Sequence, residues 1–160
     1  MTNSQPRLFW TVAGGVLALA ISQGIGRFAY TPLLPAMQVA GGFGPDVAGY
    51  LAAANYAGYL IGAFLIALLP PGWTIPTLRL SLVGSIATTA AMALTTDVWV
   101  WAVLRFVAGV VSAGVLVLAS NIVFRRLSHE RREGLKGLPF AGVGAGIAWT
   151  MATRNVPLTI

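Results

Sequence analysis

From Val47 to Leu69 the chain runs 23 residues without one charged side chain, and four further stretches along its length are uncharged or nearly so. A helix built from such residues is apolar on every face, so no face is left for water. The rest of the chain cannot make up the deficit. Only 9% of its 160 residues are charged, against about a quarter in a soluble domain. With 57% hydrophobic residues, the chain buries its apolar area only with lipid as solvent. Hydrocarbon offers backbone N–H and C=O groups no partners, so each crossing segment has to close its own hydrogen bonds. The expected fold is therefore all-α, a polytopic transmembrane helical bundle forming a single transmembrane domain over residues 1–160.

A crossing takes about 20 largely apolar residues at ~1.5 Å each. The first span reads as 8–30, where Pro32 and Pro35 argue against further regular helix. The second, 47–69, follows a Gly- and Pro-rich turn and stops at Pro70, Pro71 and Gly72. The third is 79–96 and the fourth 98–124, apolar apart from Arg105. A fifth, 137–153, is short and rich in glycine. A cleavable signal is the competing reading of the first stretch, because Arg7 precedes an apolar run with Ala18, Leu19 and Ala20. The apolar run continues past that point, and the later spans make an uncleaved first helix the simpler account.

Orientation follows from the short loops, since Lys and Arg stay on the cytoplasmic side. Loops 31–46 and 95–97 contain Asp46 and Asp97 and no basic residue. Arg7, Arg79, Arg125, Arg126, Arg131, Arg132 and Lys136 occupy the alternate loops and the N-terminal segment. The N-terminus is thus expected in the cytoplasm. The same placement explains the net charge of +6. The run Arg125 to Lys136 abuts a span and is interrupted by Glu130 and Glu133, which makes it a topology anchor and the lipid bilayer its partner, with no nucleic acid implied.

Lipid gives helices no hydrophobic reason to associate, so close packing depends on small residues. A spacing of four recurs in every span: Gly14, Ala18, Ser22 and Gly26; Ala54, Gly58 and Gly62; Ser81, Ser85, Thr89 and Ala93; Gly109 and Ala113; Gly142 and Gly146. They imply a compact bundle. A second reading uses the same stripes between copies, in a small self-assembling membrane protein acting as a pore or assembly factor.

Two arginines fall within spans, where insertion costs about 2.5–3.5 kcal/mol at a helix centre and marks a functional candidate. Arg27 lies toward the outer end of the first span, where snorkelling to headgroups is the alternative. Arg105 enters the fourth span about seven residues, or ~10 Å, below Val98, as a functional residue or half of a buried ion pair. Gln23, Asn55, Tyr56 and Tyr59 either line a path near these arginines or make interhelical hydrogen bonds. All four acids, Asp46, Asp97, Glu130 and Glu133, fall in loops, so no carboxylate within a span takes up a proton. Without Cys and with His129 alone, no metal set is formed. No phosphate-binding loop and no nucleophile with its base is present, so neither a cofactor nor a catalytic residue is expected, and the chain is not read as an enzyme.

The run Gly24-Ile-Gly-Arg-Phe-Ala-Tyr-Thr-Pro-Leu-Leu-Pro-Ala-Met37, followed by Ala48-Gly-Tyr-Leu-Ala-Ala-Ala-Asn-Tyr-Ala-Gly-Tyr-Leu-Ile-Gly62, resembles the start of major facilitator superfamily permeases, and within them the bacterial YbfB/YjiJ type. Arg105-Phe-Val-Ala-Gly109 with Ser112, Ala113 and Gly114 is similar to the superfamily's fourth-helix pattern, and Gly142 to Gly146 to its glycine-rich fifth helix. The resemblance covers about residues 8 to 150. It implies transport of a small solute by alternating access, with Arg105 tied to substrate or proton coupling; Arg105, together with Arg27, would attract an anionic group of the solute or a partner carboxylate. The loop Leu69 to Arg79 departs from the family in carrying no acid. A six-helix half takes ~180 residues, so the resemblance implies an incomplete N-terminal half whose partner would be a C-terminal half. The tail Met151 to Ile160 lacks membrane character and would put Arg154 outside, which suggests a truncated or frameshifted reading frame.

Overall fold

Segments that must satisfy their amides internally should be helical throughout, and the computed structural model, which describes residues 4–28 and 30–153, has only helices and turns among those residues. In chain order they are α1 (Ser4–Leu19), running directly into a π-helix (Ala20–Arg27), then α2 (Tyr30–Gly41), α3 (Pro45–Ala67), α4 (Thr74–Met92), α5 (Val98–His129) and α6 (Leu138–Thr153). Short 3₁₀ turns at Pro71–Trp73 and Glu133–Leu135 lead into α4 and toward α6. Four stretches are long and apolar enough to cross a membrane: Arg7–Gly41, Pro45–Ala67, Pro71–Met92 and Val98–His129. The chain is a multi-pass membrane protein built as a partial helical bundle. At 16 residues, α6 would extend ~24 Å, short of a full crossing. The tail from Arg154 onward lies outside the described residues.

Local chemistry sets the ends. Asp97 caps α5, its Oδ1 accepting from the amides of Trp99 at 2.8 Å and Val100 at 3.2 Å. Pro45 opens α3, where its missing N–H costs nothing, and Asp46 in the first turn complements the helix dipole. Gly42, at φ +64°, ends α2. Beyond α5, Arg126 pairs with Glu130 at 3.1 Å. Hydrogen bonds from Lys136 and Ser128 hold the exposed Glu133 carboxyl below the usual carboxylate range.

The first span differs from the expected 8–30. Helix resumes at Tyr30 and continues to Gly41 with Pro35 inside it. Pro32 falls in the first turn of α2, where its amide would have had no intrahelical partner, so it starts a helix rather than ending one. Loop 31–46 is correspondingly short. Ahead of it the π-helix widens the turn: the Phe28 amide bonds to the Gln23 carbonyl, five residues back. That extra residue per turn buries Ser22, Gln23 and Gly24 consecutively.

α5 is the central element, buried along its length from Trp101 to Leu127. Gly58 packs on Phe106 and Gly62 on Val110, so α3 and α5 run parallel. Gly15 meets Val123 while Gln23 meets Ser112, so α1 runs antiparallel to α5. So does α4, with Ser81 at Gly114 and Met92 at Trp101. α6 runs parallel to α1, with Gly142 at Val16 and Gly146 at Ala20. Arg7, Arg79 and the run Arg125 to Lys136 therefore gather at one end of the bundle, and Asp46 and Asp97 at the other.

The small-residue stripes mostly do what the spacing implies. A Cβ on Gly24 would stand 2.6 Å from the Gly146 Cα, and one on Gly62 would stand 2.5 Å from the Val110 carbonyl oxygen. Gly58 and Gly109 are closed off by the backbones of Phe106 and Asn55. In the first helix the contact is made by Gly15, with open space at Gly14. In α4 the buried line is Ser81, Ser85 and Thr88, while Thr89 is partly covered and Ala93 exposed. Gly109→Ala is expected to destabilise the folded chain by about 1–3 kcal/mol through overpacking. Gly144→Ala, in open space, should be neutral or slightly stabilising. Equilibrium unfolding in bicelles measures both, and equal effects would contradict the packing.

Candidate functional site

The parallel contact of α3 with α5 sets the register of the polar groups. With a glycine at 109, the α5 backbone comes close enough for the Asn55 Nδ2 to donate to the Arg105 carbonyl at 2.8 Å. Asn55 is thereby committed to holding two helices together. Gln23 plays the same part between the π-helix and α5, its Nε2 donating to the Ser112 carbonyl at 2.7 Å. Buried polar groups in hydrocarbon need such partners.

Arg105, whose own carbonyl takes the Asn55 bond, is 4% exposed. Its guanidinium carbon stands 4.2 Å from the centroid of the Tyr30 ring. The Tyr30 hydroxyl donates to the Ala48 carbonyl at 2.9 Å, so a bond between α2 and α3 fixes the ring on which Arg105 rests. No hydrogen bond or ion pair of the Arg105 side chain is present among the described residues, and its buried Nε has no partner. Arg27, at the last position of the π-helix, reaches across to α3. Its guanidinium carbon is 4.2 Å from the Tyr59 ring centroid and 5.3 Å from that of Tyr56. Both cations are thus stabilised by ring faces, worth ~2 kcal/mol or more where water is excluded.

The two arginines meet at one cavity of about 150 Å³, lined by Arg27, Phe28, Tyr30, Thr31, Ala52, Asn55, Tyr56 and Arg105. Four of the six residues singled out in the sequence, Arg27, Asn55, Tyr56 and Arg105, share its wall. Tyr59 supports Arg27 from behind, and Gln23 is an interhelical tie away from the cavity. Phe28, Tyr30 and Thr31 were missed. Tyr30 was readable as an aromatic hydroxyl three residues after Arg27, but Pro32 and Pro35 drew attention to a chain break instead. The acids lie elsewhere: Asp46 begins α3, Asp97 caps α5, and Glu130 and Glu133 pair with Arg126 and Lys136. The cavity therefore carries two cations and no carboxylate. No group of metal-ligating side chains occurs among the described residues.

Residues 19–158 match the family described as uncharacterised MFS-type transporter YbfB. The chain belongs to that family. The match begins inside the first helix, takes in every residue of the cavity wall, and runs on past residue 150, where the resemblance read from the sequence had stopped. Membership makes this an MFS-type membrane transporter chain. No curated protein and no solved structure matches the chain.

Tyr30 separates two contributions that are read together in the wild-type chain. Tyr30→Phe keeps the ring beneath Arg105 and loses the bond to Ala48, at an expected cost of about 1 kcal/mol. Tyr30→Leu loses the ring as well and should cost roughly a further 1–2 kcal/mol. Equilibrium unfolding in bicelles distinguishes them, and identical values would show that the ring does not support Arg105.

Proposed function

We propose that this chain forms the N-terminal helix bundle of a secondary transporter that moves a small anionic solute by alternating access, in a bacterial inner membrane with the N-terminus in the cytoplasm. The observation that carries this reading is the pairing of Arg27 and Arg105 at one cavity without an acid beside either. Two cations held in apolar surroundings attract negative charge strongly, because a low dielectric lengthens and strengthens the field. Arg105 and Tyr30 also line a neighbouring cavity of about 530 Å³, within the range of about 300–1,000 Å³ for ligand pockets, so there is room beside Arg105 for a small solute. The orientation rests on the gathering of basic residues at one end of the bundle.

In this scheme Arg105 binds the anion, while Arg27, on the π-helix, supplies a second charge from a different helix. Asn55 and Gln23 fix the backbone that carries them. A second bundle closes the cavity from the opposite side, and rocking of one bundle against the other exposes the site to each face in turn. The self-assembly reading loses its main support, because Gly58, Gly62, Gly109, Gly142 and Gly146 all face helices of the same chain.

The test is uptake of labelled short carboxylates into proteoliposomes carrying the intact two-bundle transporter. Arg105→Gln should abolish accumulation, a fall of about 30-fold or more if the ~2–5 kcal/mol of a buried hydrogen-bonded charge pair is lost, with the amount of protein in the membrane unchanged. Undiminished uptake by this variant would refute the role of Arg105.

A further inference from the structure

The walls of the cavity say more about the solute than its sign. Its hydrogen-bond donors are few and partly spent. The Asn55 amide is committed to the Arg105 carbonyl and the Tyr30 hydroxyl to the Ala48 carbonyl. That leaves the edges of two guanidiniums, the hydroxyls of Thr31 and Tyr56 and the second N–H of Asn55 to receive an anion. Their faces are taken, Arg105 by Tyr30 and Arg27 by Tyr56 and Tyr59. A stacked guanidinium still offers N–H groups in its plane, and two such N–H groups match the two oxygens of one carboxylate.

The rest of the wall is aromatic and aliphatic: the rings of Phe28, Tyr30 and Tyr56 and the methyl of Ala52. Among the described residues Phe28 is paired with no other ring, and it is 41% exposed. Such a surface rewards an apolar body and gives nothing to an ion surrounded by water. We infer that the solute is a small organic carboxylate with a planar, apolar body. Its carboxylate takes the free edges of Arg105 and Arg27, and its body lies against Phe28, Tyr30 and Tyr56. The inference rests on the reading of this cavity as an anion site and adds the class of anion.

Binding to the intact two-bundle transporter in lipid nanodiscs, with empty nanodiscs as the baseline, tests it. The probes are benzoate, acetate, sulfate and benzyl alcohol, with displacement calorimetry as the readout. Benzoate should bind roughly tenfold more tightly than acetate, a ring's worth of buried apolar surface, with sulfate and benzyl alcohol weaker than both. Phe28→Ala should reduce the benzoate preference while leaving acetate unchanged. Arg105→Gln should remove benzoate binding, and Arg105→Lys, which keeps the charge, should restore it in part.

Benzoate, acetate and sulfate binding within about threefold of one another, all lost in Arg105→Gln, would overturn the organic-carboxylate inference and leave the anion site standing. Benzyl alcohol binding as tightly as benzoate, with Arg105→Gln without effect, would defeat the anion site and this inference together. Absence of any benzoate binding would overturn it as well.

Discussion

A guanidinium 4% exposed on a hydrocarbon-embedded helix must be stabilised by its surroundings, and here the surroundings offer rings instead of acids. Arg105 rests on Tyr30, and Tyr30 is pinned by the Ala48 carbonyl. Ala48 sits one turn into α3, whose place beside α5 is set by Gly58, Gly62 and Gly109. Each link depends on the one before it. Replace the glycines, and the helices separate; separate the helices, and Asn55 and Arg105 lose their register. The cation that defines the site is thus held by the same contacts that hold the bundle.

Ring faces stabilise a cation without neutralising it. A buried carboxylate partner would have cancelled the charge and made the pair structural, as buried ion pairs often are. With every acid of the chain at a helix end or in the basic loop, the positive charge of Arg27 and Arg105 is left facing the cavity. The π-helix contributes to the same result. It turns Gln23 and Gly24 into the bundle, where Gly24 meets Gly146, and leaves Arg27 at its end, reaching toward α3.

Much of this was legible in the residues. Val47–Leu69 needed only its missing charges to be recognised as a span, and Arg105 needed only its position inside one. The basic loops announced which ends of the helices lie together. The glycine spacings announced close packing, though not which neighbour each would meet. What stayed hidden depended on contacts between distant segments. Pro32 looked like a terminator because its place in a first turn is not visible until the break before it is known. The π-helix leaves no periodic trace in apolar residues, and of the adjacent Gly14 and Gly15 on α1 only the neighbour Val123 shows that Gly15 makes the contact. Tyr30 read as the end of a span, since nothing local says that a residue 75 positions later will lie on its ring.

The central claim is that the cavity holds uncompensated positive charge, and a carboxylate built into its wall measures that directly. Ala52 lines the cavity on α3. Equilibrium unfolding in bicelles of Ala52→Glu against Ala52→Gln compares side chains of nearly equal size that differ in charge. If the arginines are uncompensated, the Glu variant is more stable than the Gln variant by about 1 kcal/mol or more. A Glu variant less stable than its Gln counterpart would mean that the charge of Arg27 and Arg105 is already neutralised, and the account of the site would fail.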